Sequence, residues 1–106
     1  MISFEEFNRL EIVIGTVIAA HHIAESNVHL HLEIDFGFDV RHVVTKMAHV
    51  FDPSFFLGKQ IPVLVNIEPR IMFGIESQGE LLAVDNDGRP VLIHPDGSVP
   101  DGSRVR

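Results

Sequence analysis

The chain contains no cysteine, so neither a disulfide framework nor a thiolate metal site is open to it. No apolar run comes near the ~20 residues that a membrane-spanning helix needs. The first residues, Met1-Ile2-Ser3-Phe4-Glu5-Glu6, are acidic and lack the positive stretch and apolar core of a secretory signal, so a cytoplasmic location is expected. Positive charge is scarce. Eight Lys and Arg against 15 Asp and Glu give a formal charge of −7. That balance weighs against a non-specific polyanion binder, and any contact with nucleic acid has to come from a local patch. There is no Gly-x-Ser-x-Gly elbow and no glycine-rich phosphate loop, so the reading is a binding domain rather than an enzyme, with no cofactor.

What is present points to strands. The 106 residues suit one domain with one core, read as an N-terminal helix over 1–10 followed by a barrel and C-terminal extension over 11–106. Ser3 and Glu6 have capping-box spacing, Ile2 and Phe7 the spacing of a hydrophobic staple, and Phe4, Phe7 and Leu10 fall on one helical stripe. From Glu11 the period shortens to two. Ile12, Ile14 and Thr16-Val17-Ile18 read as a first strand, with Gly15 marking a bulge or a close backbone approach. Val28, Leu30, Leu32, Ile34 and Phe36 alternate with His29, His31, Glu33 and Asp35, a strand with one apolar and one wet face. Val40–Thr45 is a third strand and Gln60–Val65 a fourth. Between them, Asp52-Pro53 through Gly58 has the cap, proline and terminal glycine of a single helical turn. Leu81–Val84 and Pro90–His94 flank the turn Asn86-Asp87-Gly88. The fold class is therefore all-β. A five-stranded OB-type barrel, with short helices before strand 1 and between strands 3 and 4, fits better than a sandwich, for which the strands are few.

Seven histidines raise the question of a metal. His29 and His31 share a strand face, but a zinc site needs three or four ligands at dedicated spacing, and no such set is visible, so no metal is expected. The stretch Asn66–Leu82 differs from its surroundings. It is longer than an ordinary hairpin loop, carries the apolar triplet Ile71-Met72-Phe73, and offers Asn66, Arg70, Ser77 and Gln78, residue types that recognise bases and phosphates.

In that stretch the sequence resembles the tRNA-binding domain family. Asn66, Pro69-Arg70 and Gly74-Ile75-Glu76-Ser77-Gln78-Gly79-Glu80-Leu81-Leu82 are similar to its Asn, Pro-Arg and Gly-Val-Glu-Ser-Gln-Gly-Met-Leu-Leu. Leu10–Val17, Ile34-Asp35-Phe36-Gly37, Phe55–Ile61 and Val99–Val105 extend the likeness over essentially the whole chain. The resemblance implies an OB fold and an RNA-binding role, with tRNA as partner. In that role Asn66, Ser77 and Gln78 would bond base edges, Arg70 and Lys46 would hold phosphate, and Phe73 would stack a base. Its short stand-alone members, the CsaA-type chaperones among them, imply a homodimer built partly on the N-terminal helix. Phe4 and Phe7 would then lie at the interface, and an extended peptide would be the alternative client. The chain departs from the family at Val13, Ile71 and Phe73, where basic residues are common, at Thr45-Lys46, where Ser-Gly is usual, and at Glu80, which replaces a methionine.

Overall fold

The computed structural model describes residues 1–106. Strand β1 (Ile12–Ile23) organises the rest. Its first half pairs antiparallel with β4 (Gln60–Leu64) and its second half with β2 (Ser26–Asp35), and Thr16 serves both partners. A strand can change partners this way only if it bends, and the register shifts between Val17 and Ala19, where a bulge supplies the bend. Gly15 is not the bulge but the close approach: a Cβ there would lie 2.5 Å from Ile34 Cγ2 and 2.6 Å from the Phe36 ring.

β3 (Val40–Thr45) lies outside β2, and β7 (Glu80–Leu81) outside β4, giving the order β3-β2-β1-β4-β7. The alternation read in the sequence decides which face is covered. Leu30, Leu32, Ile34 and Phe36 are fully buried and meet Val13, Val17, Val43, Ile61, Val63 and Leu81 in the core. Between β3 and β4 the chain makes one 3₁₀ turn (Pro53–Phe56), capped by the Asp52 carboxylate, which accepts from the Ser54 amide at 3.0 Å. That turn drops Phe56 into the end of the barrel, where it is wholly buried. This is the OB architecture that the strand count suggested.

Three elements depart from the sequence reading. The long stretch after β4 is not an open loop, because it contains a hairpin of β5 (Arg70–Met72) and β6 (Ile75–Ser77). The expected strand Leu81–Val84 is split at Leu82 into β7 and β8 (Ala83–Asn86). β8 pairs with β9 (Arg89–Leu92) through the tight turn that Asp87-Gly88 was expected to make. The turn-rich tail ends in β10 (Arg104–Val105), which adds to β1 beside Ile12 and Val13.

The N-terminal helix α1 (Phe4–Asn8) has the full capping box, with Ser3 and Glu6 bonding each other's amides. None of its five residues is buried. A helix this short does not hold itself together in water. It is tied to the barrel at its far end, where Arg104 donates to the carbonyls of Asn8 and Leu10.

Candidate nucleic-acid interface

The β5–β6 hairpin positions the residues singled out in the sequence, and it sorts them into two groups. Asn66, Ser77 and Gln78 turn toward the chain itself. The Asn66 side chain accepts from the Glu11 amide at 2.8 Å and donates to the Arg9 carbonyl at 2.6 Å, clamping the junction of α1 and β1. Ser77 is 5% exposed, and its hydroxyl accepts from the Val44 amide at 2.9 Å. The Gln78 amide donates to the His42 carbonyl at 2.9 Å, and its side-chain oxygen accepts from the His42 amide at 3.4 Å.

These bonds close the barrel. β3 has no continuous ladder to β6 or β7, and the gap is bridged at His42 and Val44 by Gln78 and the Ser77 hydroxyl. Gly79 completes the seam, since a Cβ there would come within 2.8 Å of Val63 and 3.2 Å of the Leu64 carbonyl. Arg41 reinforces it by donating to the carbonyls of Val65 at 2.7 Å and Gln78 at 3.3 Å. For Ser77 the structure adds a partner that the sequence does not disclose, the Val44 amide of β3. The bond uses one lone pair of a buried hydroxyl and leaves its O–H as a donor.

Arg70, Lys46 and Phe73 face outward. Arg70 is 65% exposed in its side chain and lies 3.6 Å from the Glu80 carboxylate. Lys46 and Glu80 line one shallow concavity at the end of β3, together with Asp85. Phe73 sits at the hairpin tip with φ +54°, followed by Gly74 at +75°. Both turn residues are left-handed, as a two-residue connection of this kind requires. The matching turn at the far hairpin uses Asp87 for the same position, with φ +51°. An aromatic residue is uncommon there and carries local strain, a pattern that clusters at functional sites. Phe73 lies against His29 of β2, ring centroids 5.1 Å apart, which brings the hairpin tip to the wet face of β2.

That face holds a feature the sequence reading missed. His31 sits on β2 between His21 of β1 and His42 of β3. The His31 Nε2 and His42 Nδ1 are 2.7 Å apart, and the His21 and His31 rings are 5.5 Å centre to centre. Glu33 stands beside them and bonds His21 at 3.0 Å. Partial burial, then the neighbouring His42 and His21, hold His31 below the ordinary histidine range. The bond from His21 lowers the Glu33 carboxyl. No group of three or more such side chains is arranged to hold a metal ion. The signal lay in the pairing: His21 stands directly opposite His31, and β3 brings His42 opposite Glu33, one step along the same face.

A curled antiparallel sheet of five strands in the order β3-β2-β1-β4-β7 with β10 added to β1, a helical plug between strands 3 and 4, and a charged hairpin beside the strand 2–3 face together define an OB-type binding domain. Residues 12–104 match the family described as "Putative tRNA binding domain". The chain belongs to this tRNA-binding domain family, a family of binding modules. It is 40% identical over 106 residues to a methionine–tRNA ligase of Flavobacterium johnsoniae and 40% identical over 106 residues to one of Methanothrix thermoacetophila. It covers 99% and 100% of itself in those matches but spans only 15% and 16% of the ligases' length. Among solved structures it is similar to a MetRS-related protein from Pyrococcus horikoshii, with TM-score 0.96, 33% identity and coverage of 100% of this chain and 98% of that one. It is also similar to the chaperone CsaA from Bacillus anthracis, with TM-score 0.90, 30% identity and coverage of 100% and 99%. No helix is long and apolar enough to cross a membrane.

Proposed function

We propose that the chain is a non-catalytic homodimeric module that binds tRNA or structured RNA across the β5–β6 hairpin and the adjoining β2–β3 face. The observation that carries this reading is the outward set at the hairpin, within a family of tRNA-binding domains. Arg70 and Lys46 are exposed cations suited to phosphate, and Phe73 is an exposed ring at a strained tip suited to stacking a base. With two cations engaged, log K should fall against log salt with a slope of about −1.5 to −2. Fluorescence anisotropy with a labelled tRNA at two salt concentrations tests this. Absence of binding at low salt, or a flat slope, would remove the reading.

Dimerisation is supported by the unpartnered face of α1. Phe4 is 87% exposed and Phe7 38%, and Phe7 and Leu10 border a concavity shared with Ile12 and Val105. A second copy covering these residues would supply the packing that so short a helix lacks. Phe4→Asp with Phe7→Asp is expected to shift the sedimentation coefficient from that of a dimer to that of a monomer. If the unaltered chain already sediments as a monomer at micromolar concentration, the dimer is wrong.

The likeness to CsaA favours a second reading, in which an extended peptide is the client. An apolar concavity lined by Ile12, Ile14, Leu82, Ile93 and Val105 is the surface for it. Suppression of a model client's aggregation that persists in excess tRNA distinguishes this role from the first.

A further inference from the structure

The three-strand histidine ladder has no part in holding the core, since it lies on the outer face of β1, β2 and β3. It adjoins the hairpin through the contact of Phe73 with His29. The groups facing His31 are His21 from β1, Glu33 from its own strand and His42 from β3, with the hairpin contributing the uncharged Phe73 next to His29. Three imidazoles therefore share a patch with a single carboxylate, and that carboxylate is already bonded to His21. In the absence of a ligand, protonating all three sets like charges side by side, with the His31 and His42 nitrogens 2.7 Å apart. A polyanion laid over the patch reverses that balance, because each phosphate favours the protonated imidazole.

We propose that His21, His31 and His42 form a proton-loaded wall of the RNA site, taking up protons as phosphate binds, so that RNA is held more tightly as pH falls. The inference rests on the RNA reading above and assigns its regulation. It also accounts for how an RNA face can work on a chain with so few Lys and Arg: the missing positive charge is supplied conditionally, by imidazole. The charge complementarity is specific to a polyanion, since an apolar or basic peptide would gain nothing from the added protons.

The test is anisotropy with a labelled tRNA at fixed ionic strength, at about pH 7.8 and about pH 5.8, either side of the ordinary histidine value near 6.5. A net uptake averaging about a quarter to half a proton over those two pH units should tighten the Kd about three- to tenfold. His31→Gln with His42→Gln should abolish the gain, whereas His94→Gln, in a loop away from the ladder, should keep it. Should the double variant fold poorly, the unaltered chain gives a second readout: the His31 imidazole titration, followed by NMR, should move upward on adding tRNA. Equal affinity at the two pH values, a gain that survives in a folded double variant, or a His31 titration unmoved by bound tRNA would overturn the inference while leaving RNA binding intact. No binding at either pH and low salt would instead remove the RNA reading, and this inference with it.

Discussion

Replacing Ser77 by alanine is expected to lower the unfolding free energy by about 1–3 kcal/mol, because it strands the Val44 amide in a buried place with no acceptor. For a domain of this size that amounts to a fall in Tm of roughly 4–15 °C. The effect should be larger than the loss of one hydroxyl would indicate. β3 is joined to the other edge of the sheet through a few bonds at Arg41, His42 and Val44, so removing one of these ties weakens the closure as a whole. Chemical denaturation gives the measurement: the midpoint should drop with the slope unchanged, since the folded and unfolded surfaces stay the same. The folded fraction should keep its affinity for tRNA. The opposite pattern, an unshifted melt with weakened RNA binding, would show that Ser77 meets the ligand after all.

This expectation bears on how much the sequence could disclose. The architecture was legible because it depends on periodicity. The alternation from Val28 to Phe36 fixes which face is buried, and Asp52-Pro53 and Asp87-Gly88 mark turns whose backbone chemistry few other residues satisfy. At the candidate site the residue types were legible, but the intramolecular partners of Asn66, Ser77 and Gln78 were not. Asn, Ser and Gln bond a base edge or a backbone amide equally well, and nothing in the residue type tells which partner is nearer. Asn66 and Ser77 accept from the amides of Glu11 and Val44, partners 55 and 33 residues away along the chain. The histidine ladder was hidden for a related reason. His21, His31 and His42 lie ten and eleven residues apart in sequence, and only the bulged register of β1 on β2, and of β2 on β3, sets them side by side. The hairpin β5–β6 escaped because Phe73 occupies a turn position where Asn, Asp or Gly is the usual signal.

Charge at the hairpin gives the second large expectation. Arg70→Glu should weaken tRNA binding about ten- to a hundredfold at low salt, for any RNA sequence, and should flatten the salt slope by about one. The residue is exposed and makes no bond to the core, so stability should hardly change. Glu80 is the counterpart. Its carboxylate stands 3.6 Å from Arg70 and repels phosphate from the same place. An exposed pair of this kind contributes under about 1 kcal/mol to folding, so Glu80→Gln should leave the melt where it is. It should tighten tRNA binding about two- to fivefold by freeing Arg70. The two effects are coupled, and the coupling is the decisive measurement. In an Arg70→Gln background, Glu80→Gln should retain only the small gain from losing a negative charge near the RNA, well short of its effect alone. If Glu80→Gln tightens binding equally in both backgrounds, Arg70 is not the cation it restrains. The phosphate contact would then have to be sought at Lys46, which lines the same concavity as Glu80.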